Sequence, residues 1–381
     1  MAPTKEFDVV VIGAGIAGAS VAAELSETRR VLLLEQESQP GYHTTGRSAA
    51  LFTVSYGPPI IRALTRASEA FYRAPPADFT DTNLLSPRGA MFIANPDQRD
   101  EMAAAAEELK SSITMIDAEQ ARQIVPILRD TYVDGAFIDK GASDIDVNAL
   151  HQAYLRQLRA RGGDLRTRAQ VTGLSQSGTG SGTGWQVETA QGVFTAPIVV
   201  NAAGAWADEI AVMAGLDPAG LTPKRRTALL VAPPDGADIT TWPLVVDVEE
   251  KFYLKPDAGK LLISPADATP SAPCDAQPDE MDVAICVDRI QTAFDLPVRR
   301  IDHKWAGLRS FFPDGCPVAG FDPNAPGFFW LAGQGGYGIQ SAPALARASA
   351  ALITGKPIPG DIADQGVSAP ALSRDRAGLA Q

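Results

Sequence analysis

A chain of 381 residues, 45% apolar and 20% charged, has the balance of a globular protein and enough length for two lobes with their own cores. Its formal net charge of −12 disfavours nucleic acid or an anionic membrane surface as the main partner. The three cysteines, Cys274, Cys286 and Cys316, are too scattered for a disulfide framework or a cysteine metal site, and no metal is expected.

No charged segment ahead of a long apolar run opens the sequence, so the expectation is a cytoplasmic protein with no integral membrane segment. Residues 8–12, "DVVVI", are a β-branched run that ends at glycine and predicts a buried parallel strand. "GIAGASVAAELSE" carries apolar residues at helical spacing, and "VLLLE" (31–35) predicts a second buried strand. The first turn reads "GAGIAG", which supplies Gly13, Gly15 and Gly18 in G-x-G-x-x-G. The first glycine permits a tight turn, the second lets backbone approach a pyrophosphate, and the third lets helix pack on strand. Ile16 and Ala17 open the helix, whose unpaired N–H groups and partial positive charge suit phosphate. Glu35 ends the second strand 20 residues after Gly15, placed to accept hydrogen bonds from an adenosine ribose and to disfavour a 2′-phosphate.

A doubly wound nicotinamide dehydrogenase would continue with further strand–helix repeats. Instead "GYHTTGRSAALFTVSYG" (41–57) follows, and the next buried strand of that kind is "PIVVNAAG" at 197–204. A flavin is longer than the half that one such unit holds. A loop running along its pyrophosphate and ring needs small residues for close approach, backbone donors and a cation, which Gly46, Arg47, Ser48 and Ala49 provide. Further on, helices are predicted over 97–110, 147–161 and 279–294, with strands at "AMFIA", "GAFID", "RRTALLVA", "KFYLKP", "KLLIS" and "FFWLAG". "SQSGTGSGTGW" (175–185) reads as a hairpin tip, "GGYGIQSAPALARASAALITG" carries a long helix, and the tail after Gly360 is expected to be loosely held. The fold class expected is α/β: a discontinuous Rossmann-like domain from 1–80, 147–220 and 310–381, with a mixed-sheet α+β substrate domain from 81–146 and 221–309.

"GAGIAGAS", "GYHTTGRSAA", "LLSPRGAMF", "IDVNALHQAYLR", "VVNAAGAWAD", "PKRRTALL", "FYLKPDAG", "WAGLRSFFPDG" and "GQGGYGIQ", in that order over nearly the whole chain, resemble the FAD-dependent D-amino-acid dehydrogenases of the glycine oxidase and D-amino acid oxidase family. The resemblance implies non-covalent FAD and oxidative deamination of a D-amino acid, with hydride passing from Cα to the flavin. The products are an imino acid, then a 2-oxo acid and ammonia, and a quinone-like acceptor or oxygen takes the electrons. It places Ser48, Ala49, Ala203 and Gly204 at the cofactor, Val171 at adenine, and Gly335, Gly336, Tyr337, Gly338, Ile339 and Gln340 at the flavin edge. It also implies substrate roles for Arg226, Tyr253, Arg309 and the Gly336 carbonyl, with Tyr56 on a loop over the site. A planar arginine fork matches a carboxylate, which agrees with the role implied for Arg309. Arg225 adjoins Arg226, and one of the two is expected to be structural; His43 and His151 are expected to be structural too.

Where the family's arginine-specific members carry a glutamate and a histidine for the substrate guanidinium, this sequence has Ala90 and Leu51. A side-chain pocket lined by these two favours neutral or apolar substrates, unless Asp247, Glu249 or Glu250 supplies a carboxylate. The alternatives are oxidation of an N-substituted glycine or a 2-hydroxy acid on the same scaffold, or a flavin-binding subunit that does no chemistry.

Overall fold

Val9–Ile12 is fully buried and lies within a six-stranded sheet. The computed structural model of the protein describes residues 5–109, 112–179 and 182–379. The sheet runs in the order Asp164–Arg166, Val31–Leu34, Val9–Ile12, Ile198–Asn201, Phe328–Ala332, Val318–Phe321, and only the last pair is antiparallel. Its central strands read as continuous apolar runs because helices cover the sheet, as a parallel arrangement requires. The helix Ile16–Leu25 packs against both Val147–Ala160 and Gly338–Ile353.

The second large sheet has eight strands, in the order Ile301–Phe311, Thr222–Val231, Lys260–Ser264, Tyr253–Asp257, Leu244–Asp247, Ala90–Ala94, Gly135–Asp139, Thr114–Asp117. Most of its pairings are antiparallel, and Leu244–Asp247 with Ala90–Ala94 is parallel, so the sheet is mixed. Each large sheet draws strands from distant parts of the chain, which is the discontinuous α/β architecture expected. A separate three-stranded sheet is made of Leu51–Phe52, Ser143–Ile145 and Leu85–Pro87. A four-stranded sheet holds the antiparallel pair Val171–Thr179 and Gly182–Thr189; residues 180–181 of the expected hairpin tip lie outside the described residues.

The tail departs from expectation. Ile362, Val367 and Leu372 are buried, Arg374 pairs with Asp322 and lies over the Trp330 ring, and Arg376 pairs with Asp314 at 2.6 Å. A few apolar anchors and two arginines fasten a segment whose composition reads as loose.

Candidate active site

The site is built where the two large sheets meet. A long cavity of about 230 Å³ starts beside Glu35 and Ala169–Val171. It passes the glycine turn at Gly13, Gly15, Ile16 and Ala17, then Ser48, Ala49, Ala203 and Gly204, and ends at Gly335, Gly336, Gly338 and Ile339. A smaller cavity of about 80 Å³ adjoins it. Ser48, Ala49, Arg226, Tyr253, Arg309 and Gly336 line both, so these residues form the wall between a dinucleotide-sized space and a space for a small molecule.

The glycine turn has its shape for steric reasons. Gly13 sits at φ +98°, and a Cβ there would come within 2.5 Å of the Ala202 carbonyl oxygen. Gly18 lines neither cavity; a Cβ on it would lie 1.8 Å from the Gly13 carbonyl, so its task is the close contact of helix and strand. Glu35 accepts a hydrogen bond from the Ala14 N–H at 2.9 Å and from the Glu37 N–H at 3.0 Å, which fixes the carboxylate beside the cavity. Thr45 Oγ1 accepts from the Ile16 N–H at 2.9 Å and ties loop 41–49 to the helix start. Buried His151 donates through Nε2 to the Ala14 carbonyl at 2.9 Å; burial, only partly offset by that bond, holds its pKa below the usual histidine range. His43 bonds Glu37 at 2.9 Å and packs on Trp206. Both histidines are occupied in structural contacts.

Arg47 lines the long cavity, but its guanidinium is committed elsewhere. It pairs with Asp275 and donates to the carbonyls of Ala276 (3.1 Å) and Ala306 (2.9 Å). Besides lining the cavity, Arg47 clasps loop 41–49 to the segments 275–276 and 306–308. Trp305 Nε1, donating to the Arg47 carbonyl, and Thr44 Oγ1, donating to the Leu308 carbonyl, complete that clasp.

Arg226 and Arg309 converge because of sheet register. Arg226 is opposite Gly307 in an antiparallel pair and Arg309 is opposite Lys224, so the two arginines are diagonal neighbours on one face. Arg225 points to the other face, where it pairs with Asp282 at 2.7 Å and approaches Asp267 and Asp279; it is the structural member of the pair. Arg226 is held by one bond, Nε to the Asp267 carbonyl at 2.8 Å. Among the described residues the Arg309 guanidinium makes no hydrogen bond or ion pair, nor does the Tyr253 hydroxyl make a hydrogen bond. Burial and the charge of Arg309 lower the pKa of Arg226. Burial also opposes the charge of Arg309, but Tyr253, Tyr56, Tyr337 and Glu250 around it outweigh that and hold its pKa above the ordinary value. Two guanidinium groups facing one space, with no carboxylate between them, make a receptor for an anion.

Beyond the shared wall, the smaller cavity is lined by Ala50, Leu51, Phe92, Leu244, Val246 and Ala266, with Thr53, Tyr56, Glu250 and Gln340 as its further polar members. Ala90 is not among them. It is fully buried, and Phe92, two residues on and therefore on the same face of the strand, reaches the cavity instead. Tyr56 donates to Glu250 at 3.0 Å, and its ring meets Tyr337 edge-on at 5.0 Å. Burial and then Glu250 push the Tyr56 phenol far above its usual range. Asp247 is fully buried, where Gln98 and Tyr132 hold it, and Glu249 pairs with Lys251, so Glu250 alone of that trio faces the cavity. Gln340 lines the smaller cavity rather than the long one, and Tyr337 lines neither. Phe92, Leu244, Val246 and Thr53 were not picked out by sequence reasoning; the alternation of "AMFIA" marks Phe92 as the partner of Ala90, but only the sheet shows which of them faces the space.

The long cavity fits a flavin dinucleotide. Ser310 Oγ and Gln334 Nε2 line it, buried and without a partner among the described residues, as groups that meet a ligand's polar atoms would be. A Cβ on Gly335 or Gly336 would strike Phe311 at 2.3 Å or Arg309 at 2.9 Å, so the turn before the helix Gly338–Ile353 is kept bare beside the shared wall. Among the described residues no group of His, Cys, Asp or Glu could hold a metal ion, and no helix is long and apolar enough to cross a membrane.

Comparison with known proteins adds to this picture. The family model for FAD dependent oxidoreductases, DAO, matches residues 8–352. Glycine oxidase of Pseudomonas putida is 24% identical, over 91% of this chain and 94% of its own length. The mitochondrial dimethylglycine dehydrogenase of Mus musculus is 24% identical over 88% of this chain, and the match spans 41% of that longer protein. The crystal structure of glycine oxidase from Geobacillus kaustophilus superposes with a TM-score of 0.82, covering 98% of this chain and 100% of that one at 22% identity, which shows the shared fold.

Proposed function

The chain belongs to the DAO family of FAD-dependent oxidoreductases, and from that premise we propose that it oxidises the Cα–N bond of D-amino acids, favouring neutral or apolar side chains over arginine. The observation that carries this reading is the diagonal pair Arg226 and Arg309, whose free donors face the small cavity beside the cofactor space. A substrate carboxylate between them receives parallel charge-assisted hydrogen bonds, and the Tyr253 hydroxyl donates a further one. The Gly336 carbonyl accepts from the substrate amine and so turns Cα towards the long cavity. FAD, when bound there, supplies the two-electron acceptor. The chain's residues hold and orient the substrate; none of them is positioned as a strong general base, and solvent takes the amine proton. The imino acid takes up water to give a 2-oxo acid and ammonia, and the electrons leave to a quinone-like acceptor or to oxygen.

Side-chain preference follows from the walls. Leu51, Phe92, Leu244 and Val246 offer an apolar guest about 25 cal/mol per Å² buried. A guanidinium loses water there, and the one carboxylate present, Glu250, is already engaged by Tyr56. With an artificial electron acceptor, kcat/KM for D-leucine is therefore expected to exceed that for D-arginine, with ammonia released in step with acceptor reduction. A reversed ratio defeats the apolar preference. Methylamine from N-methylglycine, or turnover of 2-hydroxy acids alone, replaces the amino-acid reading with its rivals.

The cofactor is held without a covalent bond in this reading, since none of Cys274, Cys286 and Cys316 lines the long cavity. Acid precipitation is expected to leave yellow flavin in the supernatant and a colourless pellet; a yellow pellet would refute the claim.

A further inference from the structure

We propose that Asp139 is a positioning residue that holds the segment bearing Thr53 and Tyr56 against the small cavity and thereby sets how tightly substrate is retained. The functional half of this claim rests on the reading of that cavity as the amino-acid site. Asp139 ends the strand Gly135–Asp139, is 4% exposed, and has no cation partner among the described residues. A carboxylate buried in that way costs free energy unless hydrogen bonds satisfy it. Its Oδ2 accepts from Thr53 Oγ1 at 2.7 Å and from Ser55 Oγ at 2.8 Å, and its Oδ1 accepts from the Gly141 N–H at 2.9 Å.

Both hydroxyls come from the segment that follows the strand Leu51–Phe52, more than 80 residues from Asp139 in sequence but bonded to it in space. Thr53 Oγ1 also accepts from the Ser55 N–H at 3.2 Å, so the loop closes into a tight turn on the carboxylate. From the opposite side, the Thr53 N–H donates to Gln340 Oε1 at 3.4 Å. The front of the same turn is functional surface: Thr53 lines the small cavity, and Tyr56 reaches across it to Glu250. Asp139 itself lines neither cavity and stands behind the wall. Apolar residues would fill this space at lower cost than a carboxylate held by two hydroxyls and one backbone N–H. What the ion adds is direction, because two short charge-assisted bonds fix the pose of a turn that carries two residues of the cavity wall.

Asp139→Asn and Ser55→Ala test this, since neither residue touches the cavity space. In stopped-flow anaerobic reduction with D-leucine, both variants are expected to raise the apparent Kd, by about 10-fold for Asp139→Asn, the scale of one or two weakened charge-assisted bonds. The limiting reduction rate and FAD content should hold. Hydrogen exchange should quicken in a peptide covering 51–57 while one covering 135–138 keeps its protection. Unchanged Kd and unchanged exchange in both variants overturn the proposal. So does exchange that quickens equally in the strand with FAD lost, which marks a scaffold residue only. Should Asp139→Asn fail to fold, Ser55→Ala decides by the same two readouts. If no amino acid reduces the flavin of the unmodified protein, the substrate reading falls, and the exchange comparison still judges whether Asp139 holds the loop.

Discussion

Arg309→Lys is expected to weaken substrate capture by about 30- to 1000-fold, corresponding to about 2–4 kcal/mol, while FAD stays bound. A lysine keeps the charge but gives a single flexible point where the substrate carboxylate meets a planar fork. The expected loss is large because the Arg309 guanidinium lies in the shared wall and, among the described residues, makes no hydrogen bond or ion pair that could hold it in place of a substrate carboxylate. Arg226 would then face the anion alone, held by its one bond to the Asp267 carbonyl. The measurement is the apparent Kd and limiting rate of anaerobic flavin reduction. Values equal to those of the unmodified protein would remove Arg309 from the site.

Gly18→Ala is expected to empty the protein of FAD. The added methyl would lie 1.8 Å from the Gly13 carbonyl oxygen and 3.3 Å from the Ala202 Cβ. The first neighbour is backbone and cannot swing aside, so helix and strand must part and the glycine turn must distort. Overpacking of a well-packed contact costs about 1–3 kcal/mol and more against rigid backbone, which puts FAD affinity down by about 100-fold or more. Gly135→Ala is the control, because nothing lies within 4 Å of a Cβ there. Flavin absorbance per purified chain reads the result; full FAD occupancy in Gly18→Ala would mean that the turn tolerates a conformation the packing denies it.

The nucleotide-binding half of the fold was legible because its signals are local. A strand, a glycine turn and a helix follow one another within residues 9–25, and steric necessity fixes the glycines. Site residues joined across long stretches of chain were less legible. That Arg226 rather than Arg225 faces the cavity is a matter of register between strands 222–231 and 301–311, and register is a property of the sheet. The pairing of Arg47 left no sequence signal, because its partner, Asp275, lies 228 residues away. The family resemblance puts Ala90 at the pocket; it and Phe92 share a face of one strand, and how far along that strand the cavity lies gives the place to Phe92. Glu250, weighed from the sequence as a carboxylate that could reach the pocket, does line it, in a turn where it takes φ +57°. Asp139 left no sequence signal at all, since a buried aspartate at a strand end reads as ordinary until the two hydroxyls that cross to it are seen.

The central claim is that the paired arginines present an amino acid to the bound cofactor. It is tested most directly by mixing the purified yellow protein, under anaerobic conditions, with D- and L-amino acids, N-methylglycine and 2-hydroxy acids, and following the flavin absorbance. The account predicts bleaching by D-amino acids with neutral side chains, D-leucine, D-methionine and D-phenylalanine among them, with ammonia and a 2-oxo acid as products. Flavin that keeps its colour with every D-amino acid, or that bleaches only with N-methylglycine or a 2-hydroxy acid, would contradict it.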